Sequence, residues 1–331
     1  MPDITAPIRF ATVCSGVEAV SLAWEPQGFE PIFYSEIEAF PNAVLKHHWP
    51  DVPNLGDLTR IDGTVWADKV DVFWASFPCQ DFSVAGKQAS IMGANGALTL
   101  GGLRLVDEID PKVFCYENVE GLLTDDHNAF GYLLGALCGE FGPLEPPRSG
   151  WTDAGYVSGP RRTIAWRLLD AQHFGVPQSR KRVVLVACPR TSGVDPRDIL
   201  HEGHAEGDSL EQRAQRRANA IGADEEGALA LRVAIRGRTI NDFSGQQIEV
   251  GNDIANCLRT AGGGGSIGLV LTPEGDLRKL SPLECERLQG MPDNHTLIPG
   301  ASATQRYDAI GNSLAVPMVA WIGARIKEAL A

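Results

Sequence analysis

The sequence predicts an α/β protein built on a doubly wound sheet, and three observations carry that expectation. Short apolar runs alternate with helix-like stretches over the first 120 residues, which is the pattern of parallel βαβ units. The 331 residues are 44% hydrophobic and 21% charged, enough for one large globular domain or two smaller ones. The reactive residue types cluster where apolar runs stop, and sheets of this kind bind ligands beyond the carboxyl ends of their strands.

The elements follow in order. Residues 8–13 read as a strand ending at Cys14-Ser15-Gly16, and residues 19–24 as a helix. Residues 30–34 form a second strand, followed by a helix near 39–47. The runs 70–75 and 113–116 are two further strands, and 183–187 is another. Composition shifts at Pro189: residues 189–275 are rich in Gly, Asp, Glu and Arg, include the glycine run 262–265, and offer one weak helix at 209–220. Ser281 caps a helix at 282–288 whose first position is Pro282. From Ala315 onward the pattern is an amphipathic helix.

Composition narrows the function classes. No apolar run reaches the length of a membrane span; the nearest, 314–322, contains Pro317. The opening residues lack a basic start and an apolar stretch, so a cytoplasmic location is expected. The seven cysteines are scattered singly, without a CxxC pair or a Cys/His cluster, so neither a disulfide framework nor a metal site is expected. A net charge of −13 argues against indiscriminate nucleic-acid binding. Residues 157–182 nevertheless hold six basic residues (Arg161, Arg162, Arg167, Arg180, Lys181, Arg182) against one acid, Asp170, a stripe able to grip phosphates.

Four strand ends carry chemistry. The loop Cys14-Ser15-Gly16-Val17-Glu18 opens onto a helix N-terminus, where backbone N–H groups meet nucleotide-like ligands, but a single glycine does not satisfy the dinucleotide fingerprint. Glu36 after the second strand suits ribose hydroxyls, and Asp57 suits an adenine or a turn. Phe77-Pro78-Cys79-Gln80 places a thiol on a rigid loop, fit for a nucleophile. Glu117-Asn118-Val119 offers a carboxylate to a heterocycle or a proton. Strand alternation sets Gln178, Arg180 and Arg182 on one face, as phosphate or base-edge donors or as an ion-paired edge.

With Arg278-x-Leu280-Ser281-x-x-Glu284-x-x-Arg287-Leu288-Gln289-Gly290 and Gly311-Asn312-Ser313, these motifs stand in the order of the bacterial and phage DNA (cytosine-5)-methyltransferases, a family this chain resembles over 8–188 and 276–331. The resemblance implies a Rossmann-like methyltransferase sheet, formed by 1–188 with 305–331, and a smaller, irregular target-recognition domain, 189–304. It implies S-adenosylmethionine as cofactor, held by Cys14, Val17, Glu36, Ile37, Asp57, Leu58, Pro78, Leu98 and Asn312. It implies that a cytosine is flipped from duplex DNA and attacked by Cys79, with Glu117, Arg180 and Arg182 completing the catalytic set. DNA contacts are expected from Gln80, Ser83, Gln178, Arg161 and Arg162, and from Arg238 and Arg259, arginines spaced singly among turn residues. A monomer is expected, serving restriction–modification or protection of phage DNA; a separately encoded endonuclease partner stays open.

The chain departs from the family where Val17-Glu18-Ala19 replaces a glycine pair, Cys14 replaces a phenylalanine, and Asn95 replaces an arginine. A transfer-RNA methylase of this fold resembles it less, because Phe82 stands where that branch carries threonine and because of the long 189–275 segment. A binding-only module is disfavoured by the presence of both Cys79 and Glu117, and a nicotinamide dehydrogenase by the first loop.

Overall fold

The computed structural model describes residues 6–77, 94–200, 229–231, 255, 257–258, 269–271 and 277–331. Strand β1 (Ile8–Val13) runs into helix α1 (Ala19–Trp24), β2 (Phe29–Ser35) into α2 (Ala39–His48), and two short 3-10 turns precede β3 (Val72–Ala75). Next come α3 (Ala94–Ile109), β4 (Val113–Val119) and α4 (Ala129–Cys138). A meander of β5 (Ala154–Ser158), β6 (Arg162–Asp170) and β7 (Lys181–Pro189) follows, then α5 (Pro196–Leu200). Strands β8 (Leu229–Leu231), β9 (Leu269–Leu271) and β10 (Leu277–Lys279) form a small antiparallel sheet. Helices α6 (Pro282–Leu288), α7 (Ala303–Asn312) and α8 (Val316–Leu330) close the order.

The main sheet has the order β2-β1-β3-β4-β7-β6-β5. The first four strands are parallel, as the alternation predicts, but β7, β6 and β5 are joined antiparallel, so the sheet is mixed rather than wholly parallel. Helical crossovers impose parallel pairing; the hairpin links between β5, β6 and β7 contain no helix long enough to cross over, so the chain reverses instead. That reversal positions the site. Because β7 runs against β4, its first residues lie at the carboxyl edge of the parallel strands, with Arg182 opposite Val119.

Period-two alternation sends successive side chains to opposite faces. Phe73, Ala75, Phe114 and Tyr116 face the layer of α3 and α4, burying Leu105, Val106, Leu133 and Leu134. Val72, Trp74, Val113 and Cys115 face the layer of α1, α5 and α8, burying Val20, Trp24, Ile199, Met318 and Ile322. A third cluster joins Val17 of the first loop and Val44 of α2 to Leu280, Cys285, Leu288, Met291, Ile298 and Ile310. Residues 280–298 thus pack onto the cofactor-side loops. The run Ala303–Leu330 has the length and hydropathy of a membrane span by windowed measure, yet 61% of that window is buried inside the protein. In α8 the buried stripe meets α1, and Trp24 Nε1 donates to the Val319 carbonyl at 2.9 Å.

The strands at 8–13 and 183–187, the helix at 19–24 and the Ser281-capped helix at 282–288 lie where the sequence places them. Helices α3, α4 and α7 and strands β5 and β6 were not legible there, and the expected helix at 209–220 lies outside the described residues.

Candidate active site

The first loop turns through three left-handed residues, Cys14, Gly16 and Glu18, with φ of 53°, 57° and 61°. Such φ values cost a side-chain-bearing residue about 1 kcal/mol or more, so something local must hold them. Glu18 caps α1 with its own carboxylate, which accepts from Ser21 N at 3.1 Å. Glu36, from the end of β2, accepts from Gly16 N at 2.7 Å and from the Ile37 and Glu38 amides at 2.8 Å. Two loop and helix amides are therefore already satisfied by carboxylates. The loop does not offer an anion hole as the helix N-terminus suggested; phosphate would meet Glu18 and Glu36 instead.

A cleft is lined by Thr12, Cys14, Gly16, Trp74, Ser76 and Asn312, so residues from opposite ends of the sequence meet, as expected for Asn312. A Cβ added at Gly16 would meet nothing within 4 Å, which leaves open space over the turn. Ile37 is 63% exposed, an apolar face presented beside the Glu36 carboxylate. Asp57 accepts from Thr59 N and Oγ1 at 3.0 and 2.8 Å, so it caps the turn at Leu58, and these bonds hold its carboxyl below the usual range. Val17 and Leu58 are core residues, so only their backbone is left to touch a ligand. Leu98 packs, half-buried, on the face lined by α3. Burial pushes the Cys14 thiol up to about 12, with the Glu36 charge adding to the effect.

The second half of the site sits where β3, β4 and β7 meet. Arg182 Nε lies 2.8 Å from Glu117 Oε1, with the two side chains only 12% and 9% exposed. Alternation explains the pairing: Glu117 is opposite Val184 and Arg182 opposite Val119, so both point to the same face of the sheet. On either side of Glu117, Tyr116 OH donates to the Phe77 carbonyl at 2.8 Å and Asn118 Nδ2 at 3.4 Å. The motif on β4 therefore anchors the residue from which the Pro78-Cys79-Gln80 loop departs. Pro78, Cys79, Gln80 and Ser83 lie outside the described residues, as do Arg238 and Arg259.

Three arginines and a glutamine are placed differently from expectation. Arg180 is 2% exposed and donates to the carbonyls of Leu258, Gly311 and Ser313 at 3.0, 3.0 and 2.5 Å. It is a buried brace between segments rather than a group presented to substrate; burial, then the nearby Arg182, lowers it to about 10. Gln178 is fully buried, donating to Leu288 O and accepting from Leu258 N, so it does not face DNA. Arg162, 2% exposed, is spent on Asp107, Asp110 and the Val106 carbonyl, which removes it from the proposed phosphate stripe. Its neighbour Arg161 shares Asp107 but stays half exposed. Arg167 donates to Leu200 O, so the stripe 157–182 is not one continuous basic surface. Arginine count and spacing cannot reveal partners that lie more than 50 residues away.

Sequence reading also passed over His295. Buried, with its pKa lowered by desolvation, it donates from Nε2 to the Val17 carbonyl at 2.8 Å and stacks on His48, with ring centroids 4.4 Å apart. A lone histidine in a turn gives no signal of such a role, since its target lies 278 residues earlier. Among the described residues no group of three His, Cys, Asp or Glu side chains is arranged to hold a metal ion.

A family model described as C-5 cytosine-specific DNA methylase matches residues 8–328. The chain belongs to that family. It is 32% identical to the DNA N-6-adenine-methyltransferase of Escherichia phage P1, a match covering 97% of this chain and 61% of the relative. That alignment runs over 462 positions, more than this chain contains, so the relative carries insertions. The type II methyltransferases M.HpaII of Haemophilus parainfluenzae and M.HhaI of Haemophilus parahaemolyticus are 27% and 25% identical, over 99% and 98% of this chain and 92% and 95% of theirs. The crystal structure of S. pombe Dnmt2 methyltransferase superposes with a TM-score of 0.70 at 18% identity, covering 97% of this chain and 99% of that one, and bears on the fold alone. The family's α/β methyltransferase fold is thus the one observed.

Proposed function

We propose that the chain methylates carbon 5 of cytosine within a specific sequence of duplex DNA, with S-adenosylmethionine as methyl donor. The observation that carries this is the Glu117–Arg182 pair, nearly buried at the carboxyl edge and flanked by the two side chains that tether Phe77. Cys79 follows Phe77 by two residues, a chain length of at most about 7 Å. When bound, S-adenosylmethionine supplies an electrophilic methyl group. Glu36, Asp57, Ile37 and Asn312 would hold its nucleoside and its amino-acid end.

The residues divide the remaining work. Carbon 5 of cytosine is a poor nucleophile, so the Cys79 thiolate adds to carbon 6 and pushes electron density onto it. A proton taken up from solvent and shared between Glu117 and ring nitrogen 3 moves onto the nitrogen as that adduct forms and returns to the carboxylate when the adduct collapses. Arg182 holds the Glu117 carboxylate and donates to the base carbonyl. After methylation, loss of the carbon-5 proton to a base expels Cys79 as thiolate. The target cytosine must leave the helix for any of this, since a stacked base hides its ring atoms. We place target recognition in residues 189–279, including Arg238 and Arg259. Residues 280–304 join the catalytic body because they share its third core. We propose that the enzyme acts in the cytoplasm as a monomer, in restriction–modification or in protecting phage DNA.

Duplex DNA carrying 5-fluorocytosine traps such an enzyme covalently, because fluorine does not leave as a proton does. Trapping is expected with the full chain and with Cys138→Ser, and is expected to vanish with Cys79→Ser. Digestion of methylated DNA and mass spectrometry of the nucleosides identify the product. 5-Methylcytosine is the expected product; N6-methyladenine, the modification in the phage P1 relative's name, overturns the proposal.

A further inference from the structure

Glu18 is a buried carboxylate that the mechanism above does not use. Its side chain has no solvent exposure and lines the cleft beside Thr12, Cys14, Gly16 and Asn312. Oε2 accepts from Thr12 Oγ1 at 2.8 Å, and Oε1 accepts from Ser21 N and Oγ at 3.1 and 3.2 Å. All these partners are neutral, and none of the ion pairs among the described residues includes Glu18. Among the described residues, the elements packed around it supply no cation either. Just after α1 the charge acting on it is Glu25, on β2 the Tyr34 hydroxyl bonds Ser21 Oγ at 2.7 Å, and the Asn312–Leu314 side is uncharged. Thr12 Oγ1 in turn lies 2.7 Å from Ser15 Oγ, which links the carboxyl to the surface of the loop through hydroxyls. A carboxyl buried without a cation is costly to ionise, so a glutamate at such a position needs a reason.

We propose that Glu18 is the counter-charge for the sulfonium of S-adenosylmethionine, so that the cleft prefers the cationic methyl donor to its neutral product, S-adenosylhomocysteine. This rests on the methyl-donor reading above. Burial pushes the Glu18 carboxyl up to about 8, against the pull of Thr12 and Ser21 and with a further push from Glu25. Near pH 7 the empty cleft therefore holds it mostly protonated. A sulfonium favours the carboxylate, so the donor binds with release of the Glu18 proton to solvent. The product lacks the charge and leaves the proton in place. Transfer of the methyl group then removes the cation, Glu18 takes a proton back, and the product is held less tightly than the donor.

Calorimetric titration of the full chain with each ligand, in two buffers of unequal ionisation enthalpy near pH 7, reads the proton count directly. The donor is expected to release about one proton more than the product; the amino-acid half is common to both and cancels. Affinity for the donor relative to the product is expected to rise about tenfold between about pH 6.5 and 8 and to level off above. Glu18→Gln is expected to abolish the extra proton and weaken donor binding about tenfold, with product binding changed less than about twofold. Equal proton release by donor and product in the unaltered chain overturns the proposal, and that measurement stands even if the variant fails to fold. Failure of either ligand to bind overturns the methyl-donor reading instead.

Discussion

Glu117 and Arg182 meet because two strands running in opposite directions present them to one face, and each constrains what a substitution at the other can do. Glu117→Gln keeps a hydrogen-bond acceptor for Arg182 but removes the acid–base function. Methylation should fall about 10²- to 10⁴-fold while the affinity for S-adenosylhomocysteine stays the same. Glu117→Ala should in addition cost about 3 kcal/mol of stability, since Arg182 is left nearly buried without its anion. Chemical denaturation alongside single-turnover methylation separates the two effects; a Gln variant with unaltered turnover removes Glu117 from the reaction. The glutamate was legible because it follows an apolar run that could only be a strand. Arg180 was not. Its spacing from Arg182 fits a shared role, and only the fold shows that its donors go to the carbonyls of residues 258, 311 and 313. Likewise Arg162 reads as surface charge until Asp107 and Asp110 of the α3 region come to meet it.

Helix α6 shows how much a local signal can fix. Ser281 accepts from Glu284 N at 3.2 Å and Glu284 accepts from Ser281 N at 2.7 Å, a reciprocal cap with Pro282 at the first helical position. Such a cap contributes about 1 kcal/mol and depends only on neighbours in sequence, which is why it was readable. A further addition, from six residues upstream, is Arg278, whose Nη1 and Nη2 lie 2.9 and 3.0 Å from the same carboxylate. Desolvation pushes the Glu284 carboxyl up, but Arg278 and Ser281 together outweigh it and hold it below its ordinary value. A carboxyl depressed in the folded state stabilises above its unfolded pKa, and that stability is lost as the pH falls through the folded value. The protein should therefore lose stability on acidification below about pH 4.5, and Glu284→Gln should flatten that part of the profile. Urea denaturation from about pH 6 down to 3 checks this; parallel curves for the two proteins exclude the assignment. The meander β5–β6–β7 was far less legible. Strands β5 and β6 carry arginines and glycines among their apolar residues, and their core face emerges only when Trp166 packs edge-on to Phe130 and Trp151.

Across the whole molecule, the joints between segments decide how labour can be divided. Residues 177–180 bond residues 255–258 through Ser179 N to Ala255 O and Ala255 N to Pro177 O, and Arg180 reaches onward to Gly311 and Ser313. Among the described residues, 255–258 are thus held to the main sheet through backbone bonds and through Gln178 and Arg180, while 280–304 is drawn into the main body through the third core. Exchange of residues 189–275 for the corresponding stretch of a relative should change the methylated sequence and leave S-adenosylhomocysteine binding intact. Bisulfite sequencing of DNA from cells expressing the chimera reads the outcome, and an unchanged target sequence places recognition elsewhere. The extent of this segment was visible in the sequence as a shift in composition. The contacts of 255–258 were not, because main-chain hydrogen bonds leave no mark on residue type and Gln178 and Arg180 find their partners about 80 residues away.

The seam between α1 and α8 has a consequence in time. Trp24 and Val319 are bonded across 295 residues, Gln27 reaches Ala320, and Lys327 returns to the Gln27 carbonyl. Asn312, Ser313 and Leu314 form one wall of a cleft whose other wall is made by residues 12–20. During synthesis the early wall leaves the ribosome long before the late one exists. Until α8 docks, Trp24 keeps an indole N–H without its acceptor and α1 keeps its apolar face wet. A half-made polypeptide therefore has no finished cleft, and whatever chemistry depends on it waits on the arrival of one late helix.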